Sequence, residues 1–250
     1  MQVLRLDGVS KIYSNQTVAV QDANLQINEG ELVSFVGPSG CGKSTVFRMI
    51  AGLSKPTEGT IEILGESPDQ ARRTNGISFV FQDATLLPWS TVRDNVSLPL
   101  QLRGVPRRKR LEEAERVLEL VGLQDYAKAL PRQLSGGMRM RVSIARALIA
   151  RPKVLLMDEP FGALDEITRQ TLQNELLAIW HKNKQMTVLF VTHNAFEAVY
   201  LSNRIMVMTP RPGKIQHEIA VDVPYPRDEH FRSMPAFSRY IGLVNESLRH

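Results

Sequence analysis

The chain has 250 residues, 43% of them hydrophobic, which is enough to bury one large domain or a domain with an inserted subdomain. Its 31 Lys and Arg against 26 Asp and Glu leave a net charge of +5, an excess too mild and too scattered for a nucleic-acid-binding stripe. The single cysteine, Cys41, excludes an intrachain disulfide and fits a reducing compartment.

Taken in chain order, the opening MQVLRLDGVSKIY lacks the apolar stretch of a signal peptide. Val3 to Leu6 reads as a short strand, and Thr17 to Ile27 alternates apolar and polar like half-exposed antiparallel strands. Glu29-Gly30 marks a turn. Leu32 to Val36 is a β-branched-rich apolar run ending in glycines, the pattern of a buried strand feeding a loop. A helix follows from Ser44 to Leu53, stopped by Gly52 and Pro56. Gly59 to Gly65 and Ile77 to Phe81 read as strands. From Thr91 to Ala127 the spacing becomes helical (Leu111, Ala114, Val117, Leu118, Val121), and the basic run Arg107 to Arg110 leads straight into Glu112, Glu113 and Glu115, the pattern of a solvated helix laced with ion pairs. Strand and helix then alternate: helix 138–150, strand 154–157, helix 167–183, strand 187–191, helix 196–201, strand 204–208. That alternation predicts a parallel sheet covered on both faces. The proline-rich stretch from Pro210 predicts loop before a short final helix. No apolar run approaches the ~18 residues needed to span a bilayer, so work at a membrane requires a partner that holds the chain there.

Residues 37 to 44, GPSGCGKS, fit the pattern G-x-x-x-x-G-K-[ST] after a strand and before a helix. Such glycines let backbone N–H groups converge on phosphate oxygens, and the positive end of the next helix adds to that field. Lys43 then supplies a point charge to the β- and γ-phosphates, and Ser44 a hydroxyl for Mg²⁺. Cys41 inside the loop reads as a small filler; its alkylation is expected to block nucleotide sterically.

Residues 154 to 159, VLLMDE, form an apolar strand with acids where it ends. Ligands of parallel sheets gather at the carboxyl ends of the strands. Asp158 is placed to hold Mg²⁺ through water, and Glu159 to orient or deprotonate an attacking water. Alone, the same acids read equally well as a cap for the following helix. Beside a phosphate loop the catalytic reading prevails, because each motif supplies what the other lacks.

With these in place, LSGGM at 134–138 resembles the signature of ABC ATPases, usually LSGGQ, and lies before VLLMDEP as it does in that family. Tyr13 matches the aromatic that stacks on adenine, Gln82 the Q-loop glutamine, Ala163-Leu164-Asp165 the D-loop, and His193 the switch histidine that contacts the γ-phosphate. The resemblance covers nearly the whole chain. It implies an α/β fold: a P-loop NTPase core with a mixed, mainly parallel sheet, an N-terminal antiparallel β subdomain and an inserted helical subdomain. One domain over 1–250 is expected, with core and β subdomain over about 1–83 and 150–209, helical subdomain over about 84–149, and tail from 210.

The family pattern implies ATP and Mg²⁺ as cofactors. Glu159, His193, Gln82 and Lys43 would be catalytic. Tyr13, Gly37, Pro38, Ser39, Gly40, Cys41, Gly42, Lys43, Ser44 and Thr45 would bind nucleotide, and Ser44, Gln82 and Asp158 would hold the metal. Ser135 caps a helix whose first residues are Gly136 and Gly137, so these form a second anion site. By resemblance it and Asp165 close on the nucleotide of the other subunit in a head-to-tail homodimer. Met138 replaces the usual glutamine, and Gly162 stands where many relatives have serine. Segments 83–89 and 211–215 resemble the branch serving nitrate, sulfonate, taurine and related solutes. That implies a peripheral subunit on the cytoplasmic face of the inner membrane, working with integral-membrane permease subunits and, indirectly, an extracytoplasmic solute-binding protein, and not with nucleic acid. Leu86, Leu87 and Trp89 either receive a permease helix or pack the subdomain core. The alternative, a non-transport ABC ATPase acting on nucleic acid or the ribosome, usually carries paired cassettes or long coiled coils. A P-loop kinase explains neither LSGGM nor His193.

Overall fold

The computed structural model describes residues 1–162, 164–183 and 185–249. In chain order its elements begin with β1 (Gln2–Ile12), β2 (Val18–Asn28), β3 (Leu32–Val36), α1 (Lys43–Ile50), β4 (Glu58–Ile63), α2 (Pro68–Arg73) and β5 (Ile77–Val80). Helices α3 (Val92–Leu102), α4 (Arg107–Leu120) and α5 (Gly136–Leu148) follow. Then come β6 (Val154–Asp158), α6 (Glu166–Lys182), β7 (Thr187–Thr192), α7 (Ala195–Leu201), β8 (Arg204–Met208), β9 (Ile215–Ala220), α8 (Glu229–Ser233) and α9 (Pro235–Ser247).

The central sheet has the order β5-β6-β7-β3-β8-β9 and is parallel except for β9, which joins β8 antiparallel. A separate antiparallel sheet has the order β2-β1-β4. Because side chains alternate along a strand, each central strand feeds two cores. Leu32, Val36, Leu155, Met157, Val188 and Phe190 face the one shared with the helices α3 to α7 and α9. Val33, Phe35, Val154, Leu156, Leu189 and Val191 face the other, where α1 is clasped between the two sheets. Phe35 and Phe47 meet there edge to face, their rings 5.1 Å apart. Each fully buried side chain of this size contributes about 1.5–3 kcal/mol.

The parallel register has a functional consequence. Val36 pairs with Thr192 and Val207, Val80 with Met157, and Asp158 with Val191. The segments leaving β3, β5, β6, β7 and β8 therefore emerge together at one edge of the sheet.

The 83–91 segment is pinned from below. Asn95, fully buried on α3, donates from its amide to the carbonyls of Leu87, Ser90 and Thr91 and accepts from the Leu87 N–H at 2.7 Å. Leu86 packs against the core, whereas Trp89 is 76% exposed. The two readings of this segment thus divide between its residues. On α4, Arg110 bonds Ser97 and Gln101 and Arg108 faces Glu112, as a solvated helix does.

Two expectations need correction, and one helix goes unmarked in the sequence reading. The first strand runs over eleven residues because β1 lies between two partners, and its register shifts break the alternation that marks strands in sequence. The short helix α2, capped by Ser67 and Gln70, carries no such pattern. The tail is not loop up to its final helix: β9 is a half-exposed edge strand, and α9 seats Phe237, Tyr240, Ile241 and Val244 in the core. Among the described residues no helix is long and apolar enough to cross a membrane.

Candidate functional site

The phosphate-type loop leaves β3 at Val36 and re-enters helix at Lys43. Gly42 makes this possible. Its φ is 103°, and a Cβ there would lie 2.6 Å from the Ala19 carbonyl oxygen. Lys43 is 5% exposed; its ammonium donates to the carbonyls of Gly37 (2.8 Å) and Pro38 (2.9 Å) and approaches the Cys41 Sγ at 3.6 Å. Pro38, Ser39 and Gly40 form the exposed rim. Cys41 is 1% exposed, buried between its own loop and the β8–β9 turn. Alkylation of this thiol, expected to block nucleotide, therefore requires the loop to open first.

Asp158 ends β6 as a 7% exposed carboxylate, and the Ser44 hydroxyl donates to its Oδ1 at 2.8 Å. Burial pushes its carboxyl up from the ordinary range, the Ser44 hydrogen bond pulls it back, and neighbouring Glu159 pushes it up further. Asp158 caps no helix; the next one, α6, is capped by Asp165, which accepts from the Thr168 N–H at 3.0 Å. The Thr168 side chain, and then this backbone bond, hold the Asp165 carboxyl below its ordinary value. Ser44 Oγ and Asp158 Oδ1 are two hard oxygen donors beside the loop. Among the described residues no group of three or more His, Cys, Asp or Glu is arranged to hold a metal ion by itself. Two protein oxygens supplemented by phosphate and water suit Mg²⁺, which keeps much of its shell when bound.

Glu159 follows with φ 48°, its N–H donating to the Val191 carbonyl and its carbonyl accepting from the Gly162 N–H. Its Oε2 lies 3.4 Å from Gln82 Nε2 and 3.5 Å from His193 Nδ1. The loop lysine, Ser44, Gln82 and Glu159 line one cleft of about 420 Å³ that extends to Tyr13, whose hydroxyl is 3.2 Å from Thr45 Oγ1. His193 reaches Glu159 from the adjoining recess.

Ser135, Gly136, Gly137 and Asp165 do not line that cleft. Ser135 caps α5 by accepting from the Met138 N–H at 3.2 Å and is exposed with Gly136, while Gly137 packs against Thr168. Ala163 of the D-loop match lies outside the described residues.

Two residues beside the site were not read from the sequence as part of it. Glu197, 6% exposed on α7, accepts from the Thr192 hydroxyl and faces Arg169 at 3.5 Å, directly under His193. Burial raises its carboxyl, while Thr192 and Arg169 partly offset the rise. Arg211, on the β8–β9 turn, reaches the Gly40 carbonyl and lines the cleft. Both depend on neighbours brought from other elements, which spacing along the chain does not reveal.

A loop built to hold phosphates, an oxygen pair fit for Mg²⁺ and a restrained carboxylate thus share one sheet edge. Residues 20–162 match the family model described as ABC transporter. The chain is 47% identical over 253 residues to an aliphatic sulfonates import ATP-binding protein of Bacillus cereus, covering 97% of this chain and 98% of that protein. It is 43% identical over 238 residues to a nitrate import ATP-binding protein of Synechocystis sp., covering 93% and 88%. Among solved structures, a dimeric ATP-binding cassette in a post-hydrolysis state with ADP and phosphate matches with a TM-score of 0.78 and 34% identity, over 88% of this chain and 100% of that one. Site geometry, family model and near full-length similarity agree, and the chain belongs to the ABC transporter family of ATP-binding proteins.

Proposed function

We propose that this ATPase powers a membrane importer for a small anion of the sulfonate or nitrate kind, by closing on ATP as a homodimer. The observation that carries the catalytic part is the pairing of Ser44 with Asp158 beside a cleft that Ser44 and Glu159 both line. In it Ser44 and Asp158 hold Mg²⁺, which supplies charge neutralisation at the phosphates. Lys43 leaves its carbonyl partners for the β- and γ-phosphates. Glu159 aligns and deprotonates the attacking water. Gln82 and His193, both within 3.5 Å of Glu159, orient that carboxylate and sense the γ-phosphate. Tyr13, at the far end, stacks on the base.

The N-terminus of α5 supports closure by a second copy, since Ser135 and Gly136 are exposed and do not line the chain's own cleft. Exposed Trp89, on a segment pinned by Asn95, supports docking of a permease helix. The import reading and the class of solute follow the relatives named above, as does placement on the cytoplasmic face of the membrane. Glu159→Gln protein loaded with ATP, captured from native membranes and read by mass spectrometry, tests this. A multi-span permease in stoichiometric amount is expected. Ribosomal proteins or RNA in its place would overturn the transport reading and leave the ATPase intact.

A further inference from the structure

We propose that Arg211 is a nucleotide-binding residue, a second cation that the β8–β9 turn delivers to the phosphate loop to grip the phosphate chain. The proposal rests on the ATP-site reading above and extends it to a residue outside the phosphate-binding motif.

The turn is built to hold one position. Thr209 and Lys214 close it: the Thr209 N–H donates to the Lys214 carbonyl at 3.0 Å, and the Lys214 N–H donates back to the Thr209 hydroxyl oxygen at 2.9 Å. That hydroxyl in turn donates to the Pro212 carbonyl at 3.0 Å. Gly213 fastens the turn to β2, donating to the Ala19 carbonyl and accepting from the Gln21 N–H. It also presses on the loop itself, since a Cβ at Gly213 would fall 1.8 Å from the Cys41 carbonyl oxygen. The base of the Arg211 side chain is therefore fixed relative to the loop.

From there the guanidinium spends two donors, Nε at 3.3 Å and Nη2 at 3.1 Å, on one acceptor, the Gly40 carbonyl. A guanidinium carries five N–H donors, so three remain to serve the cleft that Arg211 lines with Lys43, Thr45 and Tyr13. No carboxylate lies within ion-pair distance of it among the described residues. A full charge is more than a neutral carbonyl needs, and it faces the same cleft as the Lys43 ammonium. Glu159 lines the cleft as well but makes no ion pair with Arg211, so the guanidinium keeps its charge for a polyanion entering beside Lys43. The planar fork suits bidentate contact with phosphate oxygens, which an ammonium does not provide. Gly40 is in the middle of the loop, so the phosphates within reach are those that ATP and ADP share.

The experiment is calorimetric titration of the purified chain with Mg·ATP and Mg·ADP at about 0.05 M and about 0.5 M salt. It compares wild type with Arg211→Met, which keeps the aliphatic stem, and Arg211→Lys, which keeps the charge. At low salt Arg211→Met is expected to weaken both nucleotides about tenfold, the scale of one charge-assisted contact. The loss shrinks at high salt, Arg211→Lys recovers part of it, and KM rises by more than kcat falls. Affinity within twofold of wild type for Arg211→Met would overturn the proposal. So would a loss that ignores salt and that lysine does not restore, because that outcome assigns Arg211 to packing of the turn. A wild-type chain that binds neither nucleotide would instead sink the ATP-site reading itself.

Discussion

Glu159 occupies the left-handed backbone region at a cost of about 1–2 kcal/mol, met by the N–H bond to Val191 and the carbonyl bond from Gly162. That conformation turns the chain off β6 so that two successive acids serve different tasks, Asp158 toward Ser44 and Glu159 toward Gln82 and His193. Glu159→Gln should keep nucleotide affinity and lose about 10²–10⁴ in turnover, read as phosphate release beside a calorimetric Kd. Retained turnover would remove Glu159 from the base role. Glu197 makes a separate prediction. Burial raises its carboxyl above the ordinary value, so the cost of ionising it in the fold is absent below the unfolded pKa of ~4.3 and grows as pH rises through the folded value. Glu197→Gln should therefore gain stability relative to wild type between pH 4 and pH 7 in urea unfolding. A change in the opposite direction would mean that Arg169, with Thr192, outweighs burial. Asp158 and Glu159 were legible in the sequence as acids closing an apolar run. Glu197 was not, because a lone acid on an amphipathic helix looks solvated until Thr192 and Arg169 are seen beside it.

At the scale of elements, long apolar runs were legible and edges were not. The strands 32–36, 154–158 and 187–192 are buried on both faces, and their predominantly apolar sequences, without polar alternation, show it. IQHEIA of β9 offers three successive exposed polar residues and owes its strand form to pairing with β8. Tail helix α9 is placed by Phe237, Tyr240, Ile241 and Val244 at helical spacing, and Arg227, 6% exposed, ties the preceding segment down through the carbonyls of Val199, Tyr200, Ser202, Val221 and Val223. Asn95 does the same for the segment that carries Trp89. Asn95→Ala should cost about 1–3 kcal/mol in urea unfolding, since it strands buried carbonyls. It should also shift the emission of exposed Trp89. An unchanged midpoint would mean that the segment holds itself.

For the molecule as a whole, the parallel register gathers five segment ends at one edge, yet leaves the α5 N-terminus outside the cleft they form. Under the closure proposed above, a second copy completes the site. Glu159→Gln should sediment as a dimer with Mg·ATP and as a monomer without it, whereas Lys43→Ala should stay monomeric in both. A Glu159→Gln protein that remains monomeric at saturating ATP would break the closure model. The proposed pairing comes only through the LSGGM resemblance: a chain's own spacing carries no information about which surface its twin will meet.

The burial of Cys41 turns a bystander into a clock. A thiol buried inside its own loop can be labelled only during the brief intervals when that loop opens, so the rate of modification counts those excursions. Nucleotide in the loop should lengthen the interval between ticks, which makes the single thiol a built-in gauge of how firmly the phosphate loop is held.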